Sequence, residues 1–276
     1  MRSRTSRVSA KAAAQPVARM SNSASPADHF SSVASQYAAF RPRYPAALYH
    51  WLAATAPGRD CVWDCACGSG QASLDLAAHF HTVIGTDLSA GQLAQAVAHE
   101  RISYRVALAE QSGLASGSCD LLTVAQALHW FDLARFYAEA RRVLRPDGLL
   151  AVWCYGIATI SEPYCDALFQ NFYKNVVGPY CQPERHLVET GYRTLAFPAP
   201  EIAVPTFTMQ LDWSLDELLG YASSWSATAR YVEARSANPM PRLRAEMLSR
   251  WGDPKARCTV RWPLSVRAAR ATTPWV

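Results

Sequence analysis

The chain contains Val62-Trp63-Asp64-Cys65-Ala66-Cys67-Gly68-Ser69-Gly70, an apolar run that ends in a carboxylate and a glycine turn. A second apolar run, Thr82-Val83-Ile84-Gly85-Thr86-Asp87, also ends in a carboxylate. Because glycine lacks a Cβ, Gly68 and Gly70 let the backbone turn sharply and approach a ligand closely. This pattern is typical of the first half of a doubly wound nucleotide-binding domain, whose ligand lies at the carboxyl ends of the strands. We expect Asp87 to accept hydrogen bonds from the two hydroxyls of a ribose.

The residues around the glycine turn indicate which nucleotide the domain binds. A dinucleotide fingerprint has a third glycine at the position that Ser73 occupies here. Asp64 precedes the turn, where it would repel an anionic diphosphate but would suit the ammonium and sulfonium groups of S-adenosylmethionine. These residues favour S-adenosylmethionine as the cofactor. Two alternatives stay open, a Rossmann-type nucleotide-dependent oxidoreductase and a non-catalytic interaction module built on the cofactor fold.

Composition and charge limit the classes of partner. Half of the 276 residues are apolar, which is enough for a substantial core, and no apolar run approaches the roughly 20 residues that span a bilayer. Residues 1–27 carry five basic residues and no acidic one, so the other 22 basic residues balance the 22 acidic ones. A neutral body offers no electrostatic footprint for a nucleic acid. We therefore expect a cytoplasmic monomer or homodimer whose partner is a small-molecule acceptor, with no nucleic acid and no membrane.

The pattern divides the chain into a leader, one domain and a tail. We predict that residues 1–27 are a disordered basic leader, with a transit segment or a misassigned start ahead of Met20 as the alternatives. Residues 28–270 form the domain, and residues 271–276 form the tail.

Strands and helices alternate in the first part of the domain, which predicts a mostly parallel sheet. Helices are predicted over 28–40, 46–56, 71–80, 90–101 and 133–144, and strands over 61–65, 82–87, about 103–107, 119–125 and 149–155. Residues 145–148 read as a turn. Beyond Gly156 we predict helical elements over 157–200 and 214–252, which form a lid and acceptor site. No strand is expected before about Ile202, and two antiparallel strands follow near 202–212 and 258–268.

The cysteines raise the question of a metal site. Cys61, Cys65 and Cys67 are close in sequence, but no second Cys/His pair at zinc-like spacing lies near them. We expect reduced thiols and no metal.

Several motifs resemble a known family. They are Tyr37–Pro45, Asp64–Gly70, Gly85–Asp87, Ala109-Glu110, Ala125–Asp132 and Leu144–Gly148. They resemble class I S-adenosylmethionine-dependent methyltransferases of the type 11 family. Later segments resemble the subgroup that includes trans-aconitate methyltransferases: Gly191–Arg193, Gly220–Tyr231 and Trp262–Leu264. The resemblance implies an α/β, Rossmann-like fold with a seven-stranded, mostly parallel sheet, an antiparallel last strand and a helical lid insertion.

The resemblance also implies roles for individual residues. The expected cofactor-binding residues, including Asp64 discussed above, are Tyr37, Asp64, Gly68, Gly70, Asp87, Leu88, Ala109, Glu110 and Gln126. The chain departs from the family pattern at Ala66, where glycine is frequent, and at Leu108, where an aspartate often binds the adenine amino group.

The expected activity is in-line methyl transfer from S-adenosylmethionine to a small-molecule acceptor, such as a carboxylic acid. His129 follows a strand end and titrates near neutral pH, so it is the candidate general base, with a wall of the pocket as the alternative. An acceptor that is already a carboxylate would need no base. Trp130, Arg230 and Tyr231 are the candidate substrate-binding residues, and the arginine could pair with an anionic acceptor.

Overall fold

The computed structural model describes residues 41–272 and Trp275. The expectations for the leader, for a helix over residues 28–40 and for Tyr37 lie outside the described residues.

A mixed sheet of eight strands forms the centre of the described part of the chain. The strands are β1 (Cys61–Cys65), β2 (Thr82–Asp87), β3 (Ile102–Val106), β4 (Cys119–Ala125), β5 (Leu144–Tyr155), β6 (Thr159–Ile160), β7 (Thr208–Trp213) and β8 (Cys258–Arg270). They are ordered β3-β2-β1-β4-β5-β8-β6, and β7 also pairs with β8. Strands β1 to β5 are parallel to one another, whereas β8 is antiparallel to β5, β6 and β7. The Rossmann-like α/β prediction is confirmed.

The short β6 adds an eighth strand to the seven that were expected, because β8 is long enough to serve two groups of partners. Residues 264–270 of β8 pair with β5, whereas residues 258–263 extend past that strand and pair with β7. The two-residue β6 also pairs with this extension, through Thr159 opposite Arg261 and Ile160 opposite Val260. The structure therefore contains a strand between Gly156 and Ile202, where none was expected.

The central strands are buried on both faces, as their apolar sequences require. Residues 119–124 of β4 are all buried, and Trp63 on β1 and Trp153 on β5 are fully inaccessible to solvent. The predicted turn at 145–148 is a bulge within β5. Leu144 pairs with Cys119, and the next paired residue of β5 is Leu149.

Helices cover the sheet and its carboxyl edge. They are α1 (Ala46–Thr55), α2 (Gln71–Ala77), α3 (Ala90–Leu93), α4 (Leu133–Val143), α5 (Pro163–Asn171), α6 (Arg185–Glu189), α7 (Leu215–Ser223), α8 (Ser226–Arg235) and α9 (Met240–Trp251). Ser89 caps α3 as predicted, since its hydroxyl accepts from the backbone N–H of Gln92 at 3.2 Å. The expected extension of α3 to Arg101 is wrong. Val97 is 58% exposed, so this segment buries too little apolar surface to stabilise a longer helix.

The helices that follow β5 pack together in a separate aromatic core. This core contains Phe169 of α5, Tyr221 of α7, Trp225 between α7 and α8, and Trp262 of β8. The rings of Tyr221 and Trp225 meet edge to face, with their centroids 5.3 Å apart. Such packing fixes the start of α8, since Ala227 of this helix also belongs to the aromatic core. No helix among the described residues is long and apolar enough to cross a membrane.

Candidate active site

The Asp87 carboxylate lies at the carboxyl end of β2 and is held by backbone hydrogen bonds. Its Oδ2 accepts from the N–H of Gly68, and its Oδ1 accepts from the N–H of Ser89, both at 2.8 Å. Burial raises the pKa of Asp87, and the same backbone N–H groups oppose that rise. The carboxylate is thus oriented before any ligand binds.

Asp64 lies beneath the glycine turn. Its side chain is fully buried and accepts hydrogen bonds from the hydroxyls of Ser73 at 2.5 Å and Thr123 at 2.8 Å. Burial raises the pKa of Asp64 to about 6. The expectation that Asp64 faces the ligand is not met, because its oxygens point to these hydroxyls and it does not line the cavity described below. Ser73, at the position of the third glycine in a dinucleotide fingerprint, has a structural role here.

Gly70 also lies away from the cavity, and its role is close packing. A Cβ at this position would lie 2.2 Å from the hydroxyl oxygen of Tyr104, and the backbone has a φ of +77°. Ala66, which replaces a glycine of the family pattern, also has a positive φ, of 55°. Gly70 shapes the turn without lining the cavity, whereas Ala66 both shapes the turn and lines the cavity.

A cavity of about 330 Å³ opens at the carboxyl ends of β1, β2 and β4. It brings together seven of the predicted residues: Gly68, Asp87, Leu88, Ala109, Glu110, Gln126 and Trp130. Ala66, which was not predicted to bind a ligand, also lines it. Leu88 and Leu108 are 50% and 43% exposed, which provides an apolar surface suited to a flat ring. Two carboxylates, those of Asp87 and Glu110, line the cavity, and none of its described lining residues is a lysine or an arginine.

Sequence reasoning missed some lining residues of this cavity. Gln92 and Phe131 line it, although neither belongs to a recognisable binding pattern. Their proximity to Asp87 and to Trp130 in the sequence is the available signal. Glu110 was expected at this site, and its Oε1 also accepts from the backbone N–H of Asp132 at 3.0 Å.

A second cavity, of about 100 Å³, adjoins the first and shares Gln126 and Trp130 with it. Gln126 has a positive φ of 59°, and its Nε2 donates to the carbonyl of Tyr155 at 3.2 Å. The polar lining includes Arg41, His129 and Arg185, and none of the described lining residues is acidic. The two cavities therefore have opposite charge character on either side of Gln126 and Trp130.

His129 is half-buried next to Arg185 and Tyr192. Burial, and then the charge of Arg185, lower the pKa of His129 to about 3, so the imidazole is neutral near pH 7. Its Nδ1 is 2.8 Å from the hydroxyl of Tyr192. A neutral ring with one nitrogen engaged can present only its other nitrogen, Nε2, to a ligand.

The structure does not bring Arg230 and Tyr231 to either cavity. Arg230 donates to the carbonyl of Tyr180 at 2.9 Å, and the rings of Tyr231 and Tyr180 pack with centroids 5.2 Å apart. Arg41 and Arg185 occupy the place in which a basic residue was expected. Arg41 belongs to a motif that the resemblance includes, whereas no local pattern marks Arg185.

None of the eight cysteines lines the cavity that Asp87 lines, whereas Cys181 lines the second cavity. All eight are free thiols, and the Sγ atoms of Cys61 and Cys119 lie 3.5 Å apart. In the described residues, no group of three or more His, Cys, Asp or Glu side chains is arranged to hold a metal ion.

Comparison with known proteins places this geometry in a family. A family model described as a methyltransferase domain matches residues 63–152. A protein named as a methyltransferase from Dictyostelium discoideum is 34% identical over 224 residues, which are 80% of this chain and 85% of that protein. A solved structure, described as a type II methyltransferase from Anaeromyxobacter dehalogenans, is 43% identical with a TM-score of 0.79 and covers 84% of this chain and 99% of its own. A malonyl-[acyl-carrier protein] O-methyltransferase from Methylovorus is 33% identical over 37% of this chain and 38% of that protein.

Proposed function

Because this chain belongs to the class I S-adenosylmethionine-dependent methyltransferases, we propose that it methylates a small molecule at the junction of the two cavities. The larger cavity holds the cofactor, and the smaller cavity holds the acceptor. Gln126 and Trp130 line both, so a methyl group passed between the cavities would cross at these residues.

The observation that carries the cofactor assignment is the acidic and apolar lining of the larger cavity. Its 330 Å³ volume falls within the range of small-molecule sites. The oriented carboxylate of Asp87 suits two ribose hydroxyls, and the exposed surfaces of Leu88 and Leu108 suit an adenine ring. Carboxylates without a basic partner favour a cationic sulfonium ligand over a diphosphate. These residues fit S-adenosylmethionine.

The cofactor supplies an activated methyl group, because its sulfonium leaves as a neutral thioether. The residues of the chain position the two reactants and exclude water from them. Two hydrogen bonds hold Gln126 at the junction. Its backbone N–H donates to the carbonyl of Trp153 at 2.9 Å, and its side-chain Nε2 donates to the carbonyl of Tyr155. Fixing two reactants in line can lower a barrier by about 7–11 kcal/mol in favourable cases. No covalent nucleophile is needed for such a transfer.

The acceptor class that we propose is a carboxylic acid. The malonyl-[acyl-carrier protein] O-methyltransferase to which part of this chain is similar is named for a malonyl substrate, which ends in a carboxyl group. The basic lining of the smaller cavity supports an anionic acceptor. The resemblance to trans-aconitate methyltransferases stays a prediction.

Calorimetry on the full chain tests the cofactor assignment. We expect S-adenosylmethionine and S-adenosylhomocysteine to bind and NAD not to bind, since Asp87 and Glu110 disfavour a diphosphate. Incubation with methyl-labelled cofactor and a fraction of metabolite acids should then yield labelled esters that mild alkali hydrolyses. Binding of NAD in place of S-adenosylhomocysteine would refute the proposal, as would label that appears only in alkali-stable products.

A further inference from the structure

We infer that the smaller cavity binds the acceptor carboxylate between the guanidinium of Arg185 and the Nε2–H of His129, and that Tyr192 holds His129 in this donor form. The inference rests on the proposed function and deepens it. It assigns the anion-binding residues of the acceptor site and names Tyr192 as a positioning residue. It also assigns His129 the role of a hydrogen-bond donor in place of the general base.

Arg185 lines the smaller cavity. Its Nε donates to the hydroxyl of Tyr173 at 2.8 Å, and that hydroxyl in turn donates to the carboxylate of Glu189. This chain of bonds fixes the plane of the guanidinium. In the described part of the chain, no carboxylate lies within ion-pair distance of Arg185. A bidentate contact to a ligand carboxylate would use the two terminal nitrogens.

The tautomer of His129 that we infer follows from its contact with Tyr192. Burial raises the pKa of Tyr192 well above its usual value, so the phenol keeps its proton. In the inferred arrangement, Tyr192 donates this proton to Nδ1 of His129, 2.8 Å away. The proton of the neutral imidazole then resides on Nε2. His129 therefore offers a donor to the cavity that it lines.

The surroundings of the cavity reinforce its preference for an anion. Arg41 lines it and also donates to the hydroxyl of Tyr155 at 2.7 Å. Helix α8 begins at Ser226, another lining residue, and no side chain caps this end of the helix. The unpaired N–H groups of a helix start carry partial positive charge. The described lining contains no Asp or Glu to offset these groups.

An acceptor bound in this way reacts without proton transfer. A lone pair of the carboxylate oxygen forms the new O–CH₃ bond while the S–CH₃ bond breaks and its electron pair remains on sulfur. The products are a methyl ester and neutral S-adenosylhomocysteine. No proton is released, so the low basicity of His129 does not impede the step. Hydrogen bonds from His129 and Arg185 would orient the reacting oxygen.

Acetate and its neutral counterpart acetamide are the probes for this site, because each is small enough for a cavity of about 100 Å³. The full chain saturated with S-adenosylhomocysteine is titrated with each, and the imidazole nitrogens of His129 are followed by ¹⁵N nuclear magnetic resonance. We expect acetate to shift the Nε2–H signal of His129 and acetamide to shift it much less. In the free protein, Nδ1 should resonate as an unprotonated nitrogen.

Two variants and a control separate binding from positioning. Arg185→Gln should weaken acetate binding about tenfold or more. Arg185→Lys should weaken it less, because lysine keeps the positive charge but lacks the two parallel N–H donors of the guanidinium. Tyr192→Phe should weaken acetate severalfold and populate the Nδ1–H form of His129, an effect that altered packing alone would not produce. Arg235→Gln is the control, since Arg235 donates to the hydroxyl of Tyr180 on an exposed face.

The outcomes distinguish this inference from the proposed function. The inference is overturned if S-adenosylhomocysteine binds but acetate leaves His129 unchanged, or if the proton of His129 resides on Nδ1 in the wild-type protein. Equal acetate affinity of the Arg185→Gln and Arg235→Gln variants would also overturn it. Failure of S-adenosylhomocysteine to bind the wild-type chain would instead refute the cofactor assignment on which it rests.

Discussion

Replacement of Asp87 by alanine should weaken cofactor binding while the chain stays folded. The Asp87 carboxylate lines the larger cavity, and its two oxygens accept hydrogen bonds from the backbone N–H groups of Gly68 and Ser89. In the wild-type protein, its remaining lone pairs are available to the ribose hydroxyls. The alanine variant removes those acceptors and also leaves the two backbone donors without their partner, so the loop is less ordered before binding.

The expected loss follows from the type of bond. A hydrogen bond to a charged acceptor contributes on the order of 1.5–3 kcal/mol. Loss of at least one such bond corresponds to an increase of about 10- to 150-fold in the Kd for S-adenosylhomocysteine. Asp87→Asn should lose less, since the amide oxygen can still accept from a ribose hydroxyl or from Gly68 N–H.

Asp120→Asn is the matched control for this measurement. Asp120 is also a buried carboxylate that accepts two backbone N–H groups, those of Asp60 and Cys61, and it pairs with Arg145. It lies at the start of β4, the opposite edge of the sheet from Asp87. Titration calorimetry should show a wild-type Kd for the control and a raised Kd for Asp87→Ala. An Asp87→Ala protein with a wild-type circular dichroism spectrum and an unchanged Kd would refute the reasoning.

Three further predictions concern stability, each measured by urea unfolding. Ala66→Gly should raise the free energy of unfolding by up to about 1 kcal/mol, because Ala66 has a φ of 55°; a loss of stability would contradict this strain. Gly70→Ala should cost about 1–3 kcal/mol more than Gly113→Ala, since both have positive φ but only the Cβ at Gly70 would meet Tyr104; equal losses would contradict this packing. Because burial raises the pKa of Asp64 to about 6, the folded state retains a proton that the unfolded chain releases near pH 4. Wild-type stability should therefore fall relative to Asp64→Asn, by up to about 3 kcal/mol between about pH 4 and 7, and a constant difference would contradict the shifted pKa.

The strands that are buried on both faces were predicted best from the sequence. The predicted bounds of β1, β2 and β4 coincide with the structure, because short apolar runs between turn residues can be buried only as inner strands. Strand β6 could not be predicted in this way, since two residues carry no periodicity and their pairing depends on Arg261 and Val260, about a hundred positions later. The end of α3 was mispredicted for a related reason. Helical spacing in the sequence does not reveal that Val97 has no apolar partner.

The larger cavity was more predictable than the smaller one. Gly68, Asp87 and Glu110 lie at the carboxyl end of a strand or within four residues of it. Neighbouring parallel strands bring these ends together at one edge of the sheet. Arg185 reaches its cavity through the packing of α6 against Tyr173, a tertiary contact with no local signature. For Asp64, the sequence predicted a ligand contact that the structure does not show. Its position at a strand end indicated a ligand, but Ser73 and Thr123 supply its partners from within the fold.

The charges of the two cavities predict that Arg185 lowers KM and does not raise kcat. Transfer of a methyl group from a sulfonium to a carboxylate neutralises both reactants, so the negative charge that Arg185 binds decreases toward the transition state. An interaction that is stronger in the ground state than in the transition state improves substrate binding but does not raise kcat. Arg185→Gln should therefore raise KM for a carboxylic acid about tenfold or more and leave kcat unchanged or higher. The same neutralisation favours product release, because the ester no longer carries the charge that Arg185 and His129 would bind. A variant that instead lost kcat at constant KM would show that Arg185 acts on the transition state, and the assignment of the basic cavity to the ground-state carboxylate would be wrong.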